Sequence, residues 1–218
     1  MTAQLQRVEP QPTVTVHEAK GETCGVVLVL PGGKADSFAP TDSRQLAALR
    51  MRPFARSLHR GGRKNGLAVW LVRYRYRGWN GAEMSPVVDA MWALDEVRRR
   101  HGDVPVVLVG HSMGGRTALR VAGDAAVRGV VALAPWLTDI EPVDQLAGRD
   151  LLVAHGDLDV VTSPRASRLY AERARAVARR VDYVCVRGDM HAMLVRWRTW
   201  HRITTRFALD ALGFGPAR

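Results

Sequence analysis

The sequence predicts an α/β fold, a mostly parallel sheet of about seven strands flanked by helices, with at most a minimal lid. Three observations predict it. Short apolar runs alternate with amphipathic helical stretches along the 218 residues, an order that needs crossover connections and so parallel strands. The run Gly25-Val-Val-Leu-Val-Leu30 is continuously apolar instead of alternating, as a strand covered on both faces must be. Glycine-rich breaks, Pro31-Gly-Gly33 and Gly110-His-Ser-Met-Gly114, follow such runs directly.

The elements read in order as follows. Strands are expected at 13–17 and 25–30, then a short helix at 44–50 and a second at 53–60, opened by Pro53 at a favoured first position. A strand at 67–72 leads to a helix over 85–100. Its Ser85 and Pro86 are start signals, and Val87, Val88, Met91, Trp92, Leu94 and Val97 form its apolar stripe. Strand 104–109, helix 114–122, and strands 129–133 and 150–154 come next. Helix 164–178, strand 181–186 and a closing helix over 194–212 complete about seven strands and six helices, in one domain spanning 1–218.

Composition is that of a soluble globular chain, with 47% hydrophobic and 24% charged residues. Residues 1–16 lack the basic and apolar regions of a secretion signal, and no apolar run approaches the roughly 20 residues of a membrane span. A cytoplasmic location without a membrane span is the expectation. Cys24 and Cys185 stand far apart in or beside apolar runs, which suggests buried free thiols and no metal site. The net charge of +11 is unusual, and 29 of the 32 basic residues are arginine. These fall on separate predicted helices and match no nucleic-acid motif, so the charge reads as solvated surface and no nucleic-acid partner is expected.

The most informative segment is Gly110-His111-Ser112-Met113-Gly114-Gly115, which follows a buried strand and opens a helix. A serine on so tight a turn tolerates only small residues two before and two after it. The turn lifts Oγ above the sheet edge, at a helix N-terminus whose free N–H groups favour developing negative charge. His111, directly before the serine, is read as structural.

This segment closely resembles the nucleophile elbow of the α/β-hydrolase superfamily, and the resemblance extends over nearly the whole chain. It implies a triad in the order serine, acid, histidine. His155-Gly156-Asp157-Leu158-Asp159-Val160-Val161 is similar to the superfamily's acid loop, which makes Asp159 the acid and Asp157 the alternative. The base is then expected after the last strand, where Arg187-Gly188-Asp189-Met190-His191 supplies His191; His201 lies inside the closing helix. The oxyanion donors would be the N–H of Met113 and that of Gly33, in a loop where Pro31 stands where many relatives carry histidine.

Substrate contacts are expected from Trp136, Lys34 and Met190. Arg73, Arg75 and Arg77 follow a strand on the same edge, as anion attractors or as solvated rim. Only residues 134–149 separate a strand from the acid strand, too few for a lid domain. The resemblance implies a small-molecule ester substrate, no cofactor and no metal. A thioesterase or acyltransferase with the same triad, an amidase, and a catalytically silent binding protein remain the alternatives.

Overall fold

The computed structural model describes residues 10–138 and 140–215; residues 1–9, where no secretion signal was read, lie outside them. Seven strands form one sheet: β1 (Thr13–His17), β2 (Gly25–Leu30), β3 (Leu67–Arg73), β4 (Val106–His111), β5 (Val127–Leu133), β6 (Asp150–Gly156) and β7 (Arg180–Val186). Their spatial order is β1-β3-β2-β4-β5-β6-β7. Every adjacent pair is parallel except β1 with β3, which makes β1 an antiparallel edge.

Five α-helices cover the two faces: α1 (Leu46–Gly62), α2 (Ser85–His101), α3 (Met113–Arg120), α4 (Pro164–Ala174) and α5 (Trp197–Ala211). Strand pleating divides the core between them. Val26, Leu28 and Leu30 of β2 pack with Ala90 and Leu94 of α2, Ala118 of α3 and Tyr170 of α4. Val27 and Val29 face Met51 and Phe54 of α1 and Trp200 and Phe207 of α5. All six residues of β2 are buried, as its unbroken apolar run requires.

Four expectations are corrected. The helices at 44–50 and 53–60 are one, α1, which runs through Pro53. An interior proline costs about 3 kcal/mol, but Met51, Phe54, Ala55 and Leu58 bury one face of the same helix, and each large apolar side chain contributes about 1.5–3 kcal/mol. Helix α4 stops at Ala174, short of 178, and α5 starts at Trp197, not 194. Cys24 and Cys185 are both exposed free thiols, because Cys24 lies in the loop before β2 and Cys185 on the outermost strand, β7. No helix among the described residues is long and apolar enough to cross a membrane.

The order places β3 on one side of β2 and β4 on the other. The chain therefore leaves the carboxyl ends of β2 and β4 toward opposite faces of the sheet, which makes the gap between them a topological switch point. Such switch points are where open α/β sheets bind ligands.

Candidate active site

Ser112 links β4 to α3 with φ 56° and ψ −119°, left-handed backbone that is strained for a residue with a Cβ. Its surroundings hold it there. The Ser112 N–H donates to Leu133 O at 3.0 Å, and its carbonyl accepts from Trp136 N at 3.1 Å and Arg116 N at 3.2 Å. A Cβ on Gly110 would lie 2.1 Å from Gly114 O, and one on Gly114 would lie 2.1 Å from Leu30 O. The glycine spacing is thus a steric condition of the turn.

The acid loop follows β6 and the histidine loop follows β7, so both reach the carboxyl edge that carries Ser112. His191 Nδ1 lies 2.8 Å from Asp159 Oδ2. The same oxygen accepts from Thr162 Oγ1 at 2.8 Å and pairs with His155 Nε2 at 3.0 Å, while Oδ1 accepts from the N–H groups of Val161 and Thr162 at 2.8 and 2.9 Å. Burial would raise the Asp159 pKa, but these hydrogen bonds win and hold it down at about 2. Asp159 is therefore a fixed negative charge beside the imidazole. The His191 ring packs 4.7 Å from that of His111, the neighbour of Ser112. No hydrogen bond joins Ser112 Oγ to His191 among the described residues; such bonds commonly tighten only around a bound substrate.

The loop after β2 passes beside the serine turn. A Cβ on Gly32 would sit 3.3 Å from Ser112 Cβ, and one on Gly33 would strike the Met113 side chain and Arg77 O. The N–H groups of Gly32, Gly33 and Met113 take part in no backbone hydrogen bond outside regular elements. Gly32 thus passes close to Ser112, and Gly33 close to the Met113 side chain.

A model of the alpha/beta hydrolase family matches residues 26–218. The chain belongs to that family. Among solved structures, the sheet and its helices are similar to those of Est1E from Butyrivibrio proteoclasticus, with TM-score 0.70 and 13% identity over 94% of this chain and 96% of that one. They are also similar to an alpha-beta serine hydrolase homologue from Coxiella burnetii (TM-score 0.67, 18% identity, 91% and 92% coverage). The esterase Est2 from Thermogutta terrifontis is a third such structure (TM-score 0.68, 15% identity, 95% and 91% coverage). No curated protein matches the chain.

In this alpha/beta hydrolase the alternative residues have other work. Asp157 Oδ1 accepts from Gly188 N–H at 2.7 Å, tying the acid loop to the histidine loop. His201, in α5, packs edge-on against Trp197 of the same helix and Phe54 of α1. His111 is buried, with Nε2 3.0 Å from His191 O, and burial pushes its pKa down to about 3. Lys34 and Met190 sit at the edge with exposed side chains. The arginines after β3 are occupied: Arg73 donates to Thr13, Arg75 pairs with buried Asp89, and Arg77 donates to Pro40 O.

Several supporting residues escaped the sequence reading. His155 is fully buried and spans Asp159 and Ser167 Oγ (2.7 Å), and burial holds its pKa down, so it braces the Asp159 carboxylate as a neutral ring. Ser167 is equally buried, which keeps it from any substrate. Asp189, two residues before His191, has no exposed surface and accepts from the N–H groups of Met190 and Arg196 and from Trp200 Nε1, each at 2.8 Å. The only signal for these roles was proximity to the motif residues.

Trp136 stands perpendicular to Trp79 at 6.1 Å, and the Arg116 guanidinium lies over both rings, 4.0 Å from Trp79 and 4.8 Å from Trp136. Arg116 and Arg120 share the Glu141 carboxylate, whose side chain is 2% exposed. An Glu141→Ala protein should lose about 3–5 kcal/mol of stability, because Arg116 would be left buried without its partner. Urea unfolding would read this as a lower midpoint with unchanged slope.

Proposed function

We propose that this hydrolase cleaves small to medium carboxylic esters through an acyl-enzyme on Ser112, with His191 as general base and Asp159 orienting it. The observation that carries the reading is the Asp159–His191 pair at 2.8 Å on the edge where Ser112 occupies a strained strand-to-helix turn. Of the similar structures named above, Est2 is an esterase, which supports an ester substrate here.

In this reading Ser112 Oγ attacks the ester carbonyl carbon as its proton passes to His191 Nε2. The oxyanion is met by the N–H of Met113 and by an amide of the Gly32–Gly33 loop. Collapse breaks the C–O bond, and the alcohol leaves with the proton from His191. Water, deprotonated by the same imidazole, then attacks the acyl carbon and restores Ser112 Oγ–H. Asp159 stays ionised throughout and stabilises the imidazolium. The short 134–149 connection leaves the acyl site open, and Trp136, Lys34 and Met190 are the side chains proposed to meet substrate.

The test is hydrolysis of a p-nitrophenyl ester series, acetate to laurate, by wild type and Ser112→Ala. Wild-type turnover should collapse in the variant by about 10⁴-fold or more, and the preferred chain length would size the acyl pocket. Activity that survives Ser112→Ala would overturn the mechanism. A folded wild type without turnover on any ester would overturn the substrate class.

A further inference from the structure

Folding gathers charge that the sequence scatters. Helices α1 and α5 are distant in sequence, yet they pack side by side on one face of the sheet, where Ser57 Oγ of α1 lies 3.1 Å from Thr205 Oγ1 of α5. Between them runs a groove of about 430 Å³ whose lining includes Arg56, Arg60, Arg198, Arg202, His201 and Trp197, and no acidic residue.

These four arginines lack the carboxylate partner that many others have. Arg75, Arg98, Arg99, Arg100, Arg116 and Arg120 each reach a carboxylate. Among the described residues, no ion pair or hydrogen bond engages Arg56, Arg60, Arg198 or Arg202; Arg198 only lies over the Trp197 ring at 5.2 Å. The shortage is built into the helices, because α1 has no acidic residue and α5 has only Asp210, near its far end. Across α1, a second groove of about 560 Å³ shares Arg56 and adds Arg52, Arg73 and His17, again without a carboxylate. Burial holds the His17 pKa down, and the charges of His59 and Arg56 add to the effect.

Four like charges on two rigid helices repel one another, and an anion between them relieves that repulsion. Guanidinium groups suit phosphate best, since their planar forks donate two parallel hydrogen bonds to its oxygens. The spacing matters too. Arg56 and Arg60 are one turn apart on α1, and so are Arg198 and Arg202 on α5, so the groove offers two successive pairs of forks. One phosphate would satisfy one pair; a ligand with several would satisfy both.

We propose that the groove between α1 and α5 binds a ligand carrying two or more phosphate groups, held by Arg56, Arg60, Arg198 and Arg202. The source is either a free oligophosphate or phosphate headgroups displayed on a lipid surface. The site is separate from the ester-cleaving machinery and does not depend on that reading.

The experiment is calorimetric titration of the full chain with tripolyphosphate at low salt. Wild type should bind saturably, with affinity falling as salt rises. Arg56→Gln/Arg202→Gln should bind about tenfold more weakly or worse, since two charge-assisted hydrogen-bonding groups are gone. Arg98→Gln/Arg99→Gln on α2 removes the same charge elsewhere and should bind like wild type. Circular dichroism and ester turnover report that both variants are folded, and neither should change. Vesicles containing phosphatidylglycerol then separate the sources. Co-sedimentation that tripolyphosphate competes away assigns headgroups; tripolyphosphate binding without co-sedimentation assigns a free ligand. Absence of saturable binding to both probes, or equal weakening in the α2 control, would overturn the proposal.

Discussion

An Asp159→Asn enzyme is expected to fold and bind substrate while losing about 10⁴-fold in kcat. The hydrogen bonds around Asp159 explain why so small a change costs so much. Oδ1 faces two backbone N–H groups, of Val161 and Thr162, so the asparagine carbonyl must take that position. The amide NH₂ then occupies the place of Oδ2, which now meets His191 Nδ1, His155 Nε2 and Thr162 Oγ1. A donor there turns His191 to the tautomer with its proton on Nε2, which cannot accept the proton of Ser112. His155 can adapt by donating from Nδ1 to Ser167, and Thr162 can turn its hydroxyl toward Ala134 O. Stability should therefore change little. Steady-state kinetics on a p-nitrophenyl ester, beside a thermal melt, would check both halves; a loss under tenfold would show that Asp159 does not set the tautomer.

Gly114→Ala should also be damaging, by another route. The new methyl would lie 2.1 Å from Leu30 O and 2.4 Å from Pro31 O, both backbone atoms that cannot rotate away. Either α3 or the end of β2 must move. Overpacking of this kind costs about 1–3 kcal/mol of stability. The larger effect falls on catalysis, because Ser112 precedes α3 and the Gly32–Gly33 amides follow β2. Pushing these apart by about 1 Å would lower kcat by about 100-fold. Gly123→Ala, whose new methyl meets nothing closer than 3.4 Å, is the control and should keep wild-type turnover. Equal turnover by Gly114→Ala would mean the elbow yields without disturbing the serine.

The elbow and the sheet were legible because their constraints act within a few residues. A doubly covered strand must be apolar throughout, and β2 is; a strained serine turn must be flanked by glycine, and Ser112 is. Asp159 and His191 were readable only through a resemblance in loop pattern, since nothing local to either residue says that they meet. What escaped depends on contacts distant in sequence. Pro53 suggests a helix start, and only the burial of Met51 and Phe54 on both sides of it makes α1 continuous. Glu141, Arg116 and Trp79 are ordinary residues until folding stacks them. The arginines of α1 and α5 look scattered along a line and become one groove when the helices pack.

The Asp189 carboxylate has a consequence for how this enzyme can change. It grips the backbone N–H groups of Met190 and Arg196 at the two ends of the histidine loop, along with the indole of Trp200. Met193 is buried in the core beside them, so the path of the loop is set from beneath, and the side chains of Leu194 and Val195 take no part in these contacts. Leu194 and Val195 are exposed and free to mutate while the imidazole keeps its place. A lineage or a randomised library can therefore vary these two positions without first losing turnover.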